Sequence, residues 1–265
     1  MRITVTAFDA FGGLPGNSSE VAALELARGG SGWAPGVLDV LDVLVLPTAY
    51  GQADQSLRGL LHSNAPDLLL MTGMASGSQT VRIETRARNL DACPEPDNAG
   101  EVRLADQVRP DGPEFHSAAI DVLALYRGLR ARGIPALISD DAGGFVCNHA
   151  FYVACHEIER AGLPTQCGFL HLPSIAADGW TASALAQALR VCISVLCPAE
   201  GSSPPRPLRE CPRAGGCPGA IGGRRLRCRR IDWTRLGFRR LVMGWAWSER
   251  RDPPGRRASK GTKAW

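Results

Sequence analysis

Residues 136–162 read ALISDDAGGFVCNHAFYVACHEIERAG, and the order of features in this run decides the architecture. Residues 136–139 form a short apolar strand. Gly143 and Gly144 let the backbone turn sharply after it. From there Cys147, Phe151, Ala154, Cys155 and Ile158 recur at helical spacing, and Gly162 with Pro164 ends the helix. A strand that turns on glycines into a helix is the building block of an α/β fold.

The same alternation runs outward in both directions. Residues 2–8 read as a strand, and Ser18 or Ser19 caps a helix that stops at Gly29-Gly30. Leu41 to Leu46 and Asp67 to Met71 are apolar strands, with a helix over 53–63 between them. Val81 to Ala87 reads as a further strand. Asp111-Gly112-Pro113 is expected to open a helix reaching Arg132. Gly168 to Leu172 is a strand, and residues 181–196 form the last helix. The expected fold class is α/β: a three-layer α/β/α sandwich with a central mixed, mostly parallel sheet, followed by an irregular C-terminal tail.

Charge divides the 265 residues at about position 198. Residues 1–198 hold 13 Arg and no Lys against 21 acids, whereas residues 199–265 hold 15 Arg and 2 Lys against 5 acids. The expected organisation is therefore a body over 1–198 and a basic Arg/Pro/Gly-rich tail over 199–265. The tail has too little patterned apolar sequence to form a domain and reads as disordered, although Leu241-Val242-Met243 with Trp245 and Trp247 is a patch able to dock. Its arginines would attract phosphate non-specifically, but no nucleic-acid-binding motif accompanies them. No apolar run reaches the length of a membrane helix, and the N-terminus lacks the apolar core of a secretory signal, so the expected compartment is the cytoplasm. The nine cysteines show no Cys-x-x-Cys pair and no metal-ligand spacing. Neither a metal nor a cofactor is expected, and most of the cysteines read as small buried hydrophobes.

Cys147 is the cysteine placed to do chemistry. It follows a diglycine turn at the start of a helix, where the macrodipole favours thiolate and free backbone N–H groups are available to an oxyanion. Taken alone, a buried helical cysteine is the plainer reading. A thiol nucleophile needs a base, and His171 lies at the end of the strand Gly168–Leu172, where α/β folds place functional groups. His149 is two residues from Cys147 on the same helix and points away; His156 suits a solvated or capping role.

Longer blocks extend this pairing. Asp141-Ala-Gly-Gly-Phe-Val-Cys-Asn-His-Ala-Phe-Tyr152 resembles the nucleophile motif of type I pyroglutamyl peptidases, and Gly168-Phe-Leu-His-Leu-Pro173 resembles that family's histidine segment. Phe8-Asp-Ala-Phe-Gly-Gly13 with Asn17-Ser18-Ser19, Ile83-Glu-Thr-Arg-Ala-Arg-Asn89 and Pro96-Asp-Asn-Ala-Gly100 are similar to further family blocks, in family order. The resemblance implies a cysteine peptidase that removes an N-terminal pyroglutamyl residue through a thioester. In it Cys147 is the nucleophile, His171 the base and Glu84 the residue that orients the histidine. It further implies a substrate site at Phe8, Phe11, Asn17, Phe145 and Val146, no metal or cofactor, a peptide substrate and a homotetramer. For the three phenylalanines, ordinary core packing weighs equally.

The match departs from the family at Met74 and at Ser78, Thr85 and Pro94, the last three standing where arginines are expected. Proline mimics no electrostatic role of arginine, so polar support around the site reads as thinned. A homologue that binds a modified peptide end without turnover, or a basic-tailed interaction protein, are the competing readings.

Overall fold

The computed structural model describes residues 1–29, 39–175 and 179–198, all within one compact unit. The basic tail over 199–265, its Leu241–Trp247 patch and the cysteines beyond 198 lie outside the described residues.

A six-stranded sheet forms the centre. Its strands are β1 (Arg2–Phe8), β2 (Val40–Leu46), β3 (Leu68–Ala75), β4 (Val81–Glu84), β9 (Ala136–Ser139) and β10 (Gln166–Pro173), in the spatial order β2-β1-β3-β10-β4-β9. The first four in that order run parallel. β4 pairs antiparallel with β10, and β9 runs parallel to β4. Helices α1 (Ser18–Arg28), α3 (Val122–Ala131) and α5 (Ala182–Leu196) pack together on one face; α2 (Tyr50–Asn64) and α4 (Val146–Ala161) cover the other. This is the expected three-layer sandwich.

The interior strands β3 and β10 read as near-continuous apolar runs because both faces are covered. Side-chain alternation then divides the sheet. Ile3, Val5 and Ala7, Leu68 and Leu70, Val81 and Ile83, and Leu170 and Leu172 face α1, α3 and α5. Phe8, Leu69, Met71, Cys167 and Phe169 face α2 and α4. A period of two therefore puts Arg82, Glu84 and His171 on the α2/α4 side, under the helix that carries Cys147.

Two expectations are corrected. Val81 to Ala87 is not one strand. β4 ends at Glu84, and β5 (Arg86–Arg88) pairs with β8 (Phe115–Ser117) in a separate ribbon. The chain turns at Thr85, whose N–H donates to Ser139 O at 2.7 Å while its carbonyl accepts from Ala118 N at 2.8 Å. Nor does Asp111-Gly112-Pro113 open a helix. Asn89 Nδ2 holds the carbonyls of Arg109 and Gly112 at 2.6 and 3.2 Å, and a side chain at position 112 would strike Tyr152 Oη. The helix starts instead at Asp121, whose carboxylate caps Ala124 N at 2.8 Å. A further hairpin, β6 (Asp91–Cys93) with β7 (Arg103–Asp106), has no counterpart in the sequence reading.

Candidate active site

The diglycine turn works as the sequence suggests. Gly143 adopts φ +84°, a conformation costly for other residues. Gly144 packs so closely on β6 that an added Cβ would lie 2.5 Å from Ala92 O, and the two residues are joined by Ala92 N donating to Gly144 O at 2.8 Å. Asp141 Oδ1 accepts from Gly143 N and from Arg88 Nη2, both at 3.0 Å, fixing the loop from the other side. The chain then enters α4 at Phe145, which lacks a capping side chain. The first intrahelical bond is donated by His149 to Phe145 O, so the amides of Val146, Cys147 and Asn148 precede the helical ladder.

Asn148 anchors this helix start. It is fully buried, and its amide acts as a short piece of strand: Oδ1 accepts from Arg88 N at 2.8 Å, and Nδ2 donates to Arg88 O and Leu90 O at 2.9 and 3.0 Å. His149 turns away from Cys147, as its spacing requires, into a buried cluster. Its Nδ1 lies 2.8 Å from Asp91 Oδ2, which also accepts from Arg103 Nη1 at 2.8 Å. His156 is not simply solvated; its ring stacks on Tyr152 and lies 3.4 Å from the buried His116.

Cys147 and His171 open on one cavity of about 330 Å³, within the range of small-ligand sites. Gly73 explains their meeting. It pairs in register with His171 across β3 and β10, and a Cβ there would come within 2.7 Å of Cys147 Sγ. The thiol thus stands over the one position on β3 that lacks a side chain, and both it and His171 line the same cavity. His171 packs at a tilt against Phe169 and is 6% exposed. Its Nδ1 lies 2.8 Å from Oε1 of the fully buried Glu84, leaving Nε2 as the nitrogen without a carboxylate.

The expectation of a thiolate is not met. Burial, first, and the negative charge of Glu84, second, push the Cys147 thiol up to about 12. The residue keeps a partly exposed face toward the cavity, but the protein crowding its sulfur outweighs the helix dipole. Cys147 rests as a neutral thiol, so any attack by its sulfur needs a base to take the proton. In the ultraviolet difference spectrum between wild type and Cys147→Ser, the thiolate band should be absent at neutral pH and appear only above about pH 10. A full-amplitude band at neutral pH would contradict this.

The other sequence candidates separate. Phe8, Phe11, Asn17 and Phe145 all line the cavity. Phe11 and Phe145 stand 5.9 Å apart as a tilted aromatic pair. Asn17 is held by the fold: Oδ1 caps α1 through Ser19 N, and Nδ2 donates to Asp9 O. Val146 is not among the cavity-lining residues. It is fully buried and packs in the core under α4, because a helix turns consecutive residues by about 100° and only Cys147 faces outward. Of the departures, Pro94 is exposed and Ser78 closes a local turn through Thr80. The sequence reading missed Arg82, which lines the cavity and stands 3.4 Å from Glu84. The available signal was alternation: a residue two before the acid on a strand shares its face.

A thiol, an imidazole and a buried carboxylate around an aromatic-walled cavity of an α/β sandwich define a thiol hydrolase. Comparison with known proteins narrows the class. The family model for pyroglutamyl peptidases matches residues 1–186, and this chain belongs to that family. The pyrrolidone-carboxylate peptidase of Gloeobacter violaceus is 38% identical over 174 residues, covering 65% of this chain and 82% of that protein. Pyrrolidone-carboxylate peptidase 1 of Ralstonia nicotianae is 36% identical, covering 66% and 80%. The crystal structure of pyroglutamyl peptidase I from Bacillus amyloliquefaciens superposes with a TM-score of 0.68 at 28% identity, covering 74% of this chain and 94% of that one.

Proposed function

We propose that this protein is a cysteine peptidase that removes an N-terminal pyroglutamyl residue from peptides, with Cys147, His171 and Glu84 as its catalytic unit. The observation that carries the reading is the His171–Glu84 contact of 2.8 Å behind a cavity that Cys147 and His171 share. His171 takes the thiol proton as Cys147 Sγ attacks the exocyclic carbonyl carbon of the pyroglutamyl residue, and the carbonyl oxygen becomes an oxyanion. The amides that open α4 suit that charge. His171 passes the proton to the leaving amine, the C–N bond breaks, and a thioester remains. Water, losing a proton to His171, then releases pyroglutamic acid and restores the thiol. Glu84 holds the imidazole in the tautomer with its proton on Nδ1 and supports the transient imidazolium. Phe8, Phe11 and Phe145 suit the flat, neutral five-membered ring.

No helix among the described residues is long and apolar enough to cross a membrane. A reducing cytoplasm fits a mechanism built on a free thiol, and the family resemblance carries a homotetramer with it. The test of function is hydrolysis of a chromogenic pyroglutamyl amide by the purified chain in reductant. Release is expected from this substrate and not from the matching prolyl amide, which lacks the ring carbonyl. A chain that binds the pyroglutamyl amide without releasing the chromophore would favour a non-catalytic binding role.

A further inference from the structure

Beneath His171 lies a charge that the three-residue unit does not use. Arg82 and Glu84 share one face of β4, and Arg82 is the cross-strand partner of His171 on β10. The guanidinium is fixed from behind: Nη2 donates to Ser139 Oγ at 2.9 Å and to Asp141 O at 2.8 Å. Its Nε, buried and without a hydrogen-bond acceptor among the described residues, lies 3.4 Å from Glu84 Oε1, the oxygen that also meets His171. Glu84 is fully buried and its Oε2 has no hydrogen-bond partner among the described residues.

A buried carboxylate with a single hydrogen bond is costly unless a positive charge stands near it. Arg82 is the cation this acid meets. The acid also acts on the nucleophile, since its charge opposes ionisation of Cys147. An aligning carboxylate beside a neutral thiol therefore has two opposed effects. It supports the imidazolium that forms and resists the thiolate that forms with it. A guanidinium held against the carboxylate by Ser139 and Asp141 reduces the second effect through its charge.

We propose that Arg82 is a positioning residue for the pyroglutamyl-peptidase reaction proposed above, a cation held against Glu84 that counterbalances its buried charge while that acid aligns His171. The charged and titratable groups facing this locus are Arg82 and Glu84 from β4, His171 from β10, Cys147 from α4 and Asp141 from the loop after β9. Asp141 is committed to Arg88 through its carboxylate, which leaves Arg82 as the cation paired with the acid. Arg82 is about one-third exposed on its cavity side, so solvent moderates its effect.

Two readouts test this, one of them independent of substrate. In Arg82→Gln, alkylation of Cys147 by iodoacetamide, followed by peptide mass spectrometry, should slow about three- to tenfold at neutral pH, with its rate–pH profile displaced upward. On a pyroglutamyl amide, kcat should fall about tenfold with KM changed less than about threefold. Arg82→Lys should recover part of both. Should Arg82→Gln not fold, Ser139→Ala, which removes one anchor of the guanidinium, should show the same displacement at smaller size. An unmoved alkylation profile in whichever variant folds overturns the proposal, as does a loss confined to KM. A wild type that fails to cleave the amide counts against the pyroglutamyl reading alone, because the alkylation profile still decides the role of Arg82.

Discussion

Cys147→Ser is expected to abolish turnover of a pyroglutamyl amide, by about 10⁴-fold or more, while the protein still melts within a few degrees of wild type. The exchange preserves shape. The sulfur stands over Gly73 with room for a smaller atom, and the side chain makes no hydrogen bond among the described residues; the start of α4 is held by Asn148 and His149. Chemistry is lost because an alcohol holds its proton far more tightly than a thiol. His171→Ala should cost nearly as much, and the double variant little more than either single one, since members of a catalytic unit are not additive. Glu84→Gln should retain more activity, about 10²-fold below wild type or somewhat less, because its role is orientation. Full activity in Cys147→Ser would remove the thiol from the mechanism, and a double variant far worse than both singles would mean the two residues act independently.

The second large effect falls outside the cavity. Asp91→Ala should lower stability by about 3–5 kcal/mol, a fall in melting temperature on the order of 10 °C for a body of this size. Asp91 is completely buried and receives both Arg103 and His149 at 2.8 Å. Removing it leaves an arginine and a histidine facing one another in the interior, with Arg103 also lying over the Tyr50 ring at 4.3 Å. Breaking one side of such a cluster costs more than the intact cluster contributes, because the remaining charge loses its partner without regaining water. Calorimetry measures the result. A melting temperature within about 2 °C of wild type would show that Arg103 finds compensation in Glu101, which it already meets at 2.7 Å.

The architecture was readable from the sequence because its signals are local. Glycines at 143 and 144, apolar runs at β1, β3 and β10, and helical spacing after Cys147 each act within a few residues. The proposed triad positions came from motif resemblance, and the sheet explains why two of them meet: alternation puts Glu84 and His171 on one face. What stayed hidden depended on partners distant in sequence. Nothing within Val81–Ala87 shows that Glu84 belongs to the central sheet while Arg86 belongs to a ribbon with β8. Asp111-Gly112-Pro113 has the composition of a helix start, but Asn89 and Tyr152 claim that backbone. The neutral thiol was missed for the same reason. The helix dipole is visible in sequence, whereas the protein around the sulfur and the charge of Glu84 exist only once the chain has folded. Arg82, by contrast, was available from strand alternation alone.

The bonds from Asn148 to Arg88 and Leu90 bear on how such a chain can change over generations. Glu84 and α4 are distant in sequence, yet Asn148 seizes the backbone only four residues beyond the acid, and His149 meets Asp91 three residues later. Residues 84–91 therefore serve as a ruler with the acid at one end and two catches for α4 toward the other. A one-residue insertion or deletion within that ruler would move thiol and acid out of step, even if every side chain named here were kept. Beyond the last catch the chain is tied again, since buried Asp97 accepts from Tyr50 N and Asn98 Nδ2 donates to Asp9 Oδ1 and Ala10 O. Lineages should accordingly vary hardly at all in the length of residues 84–91.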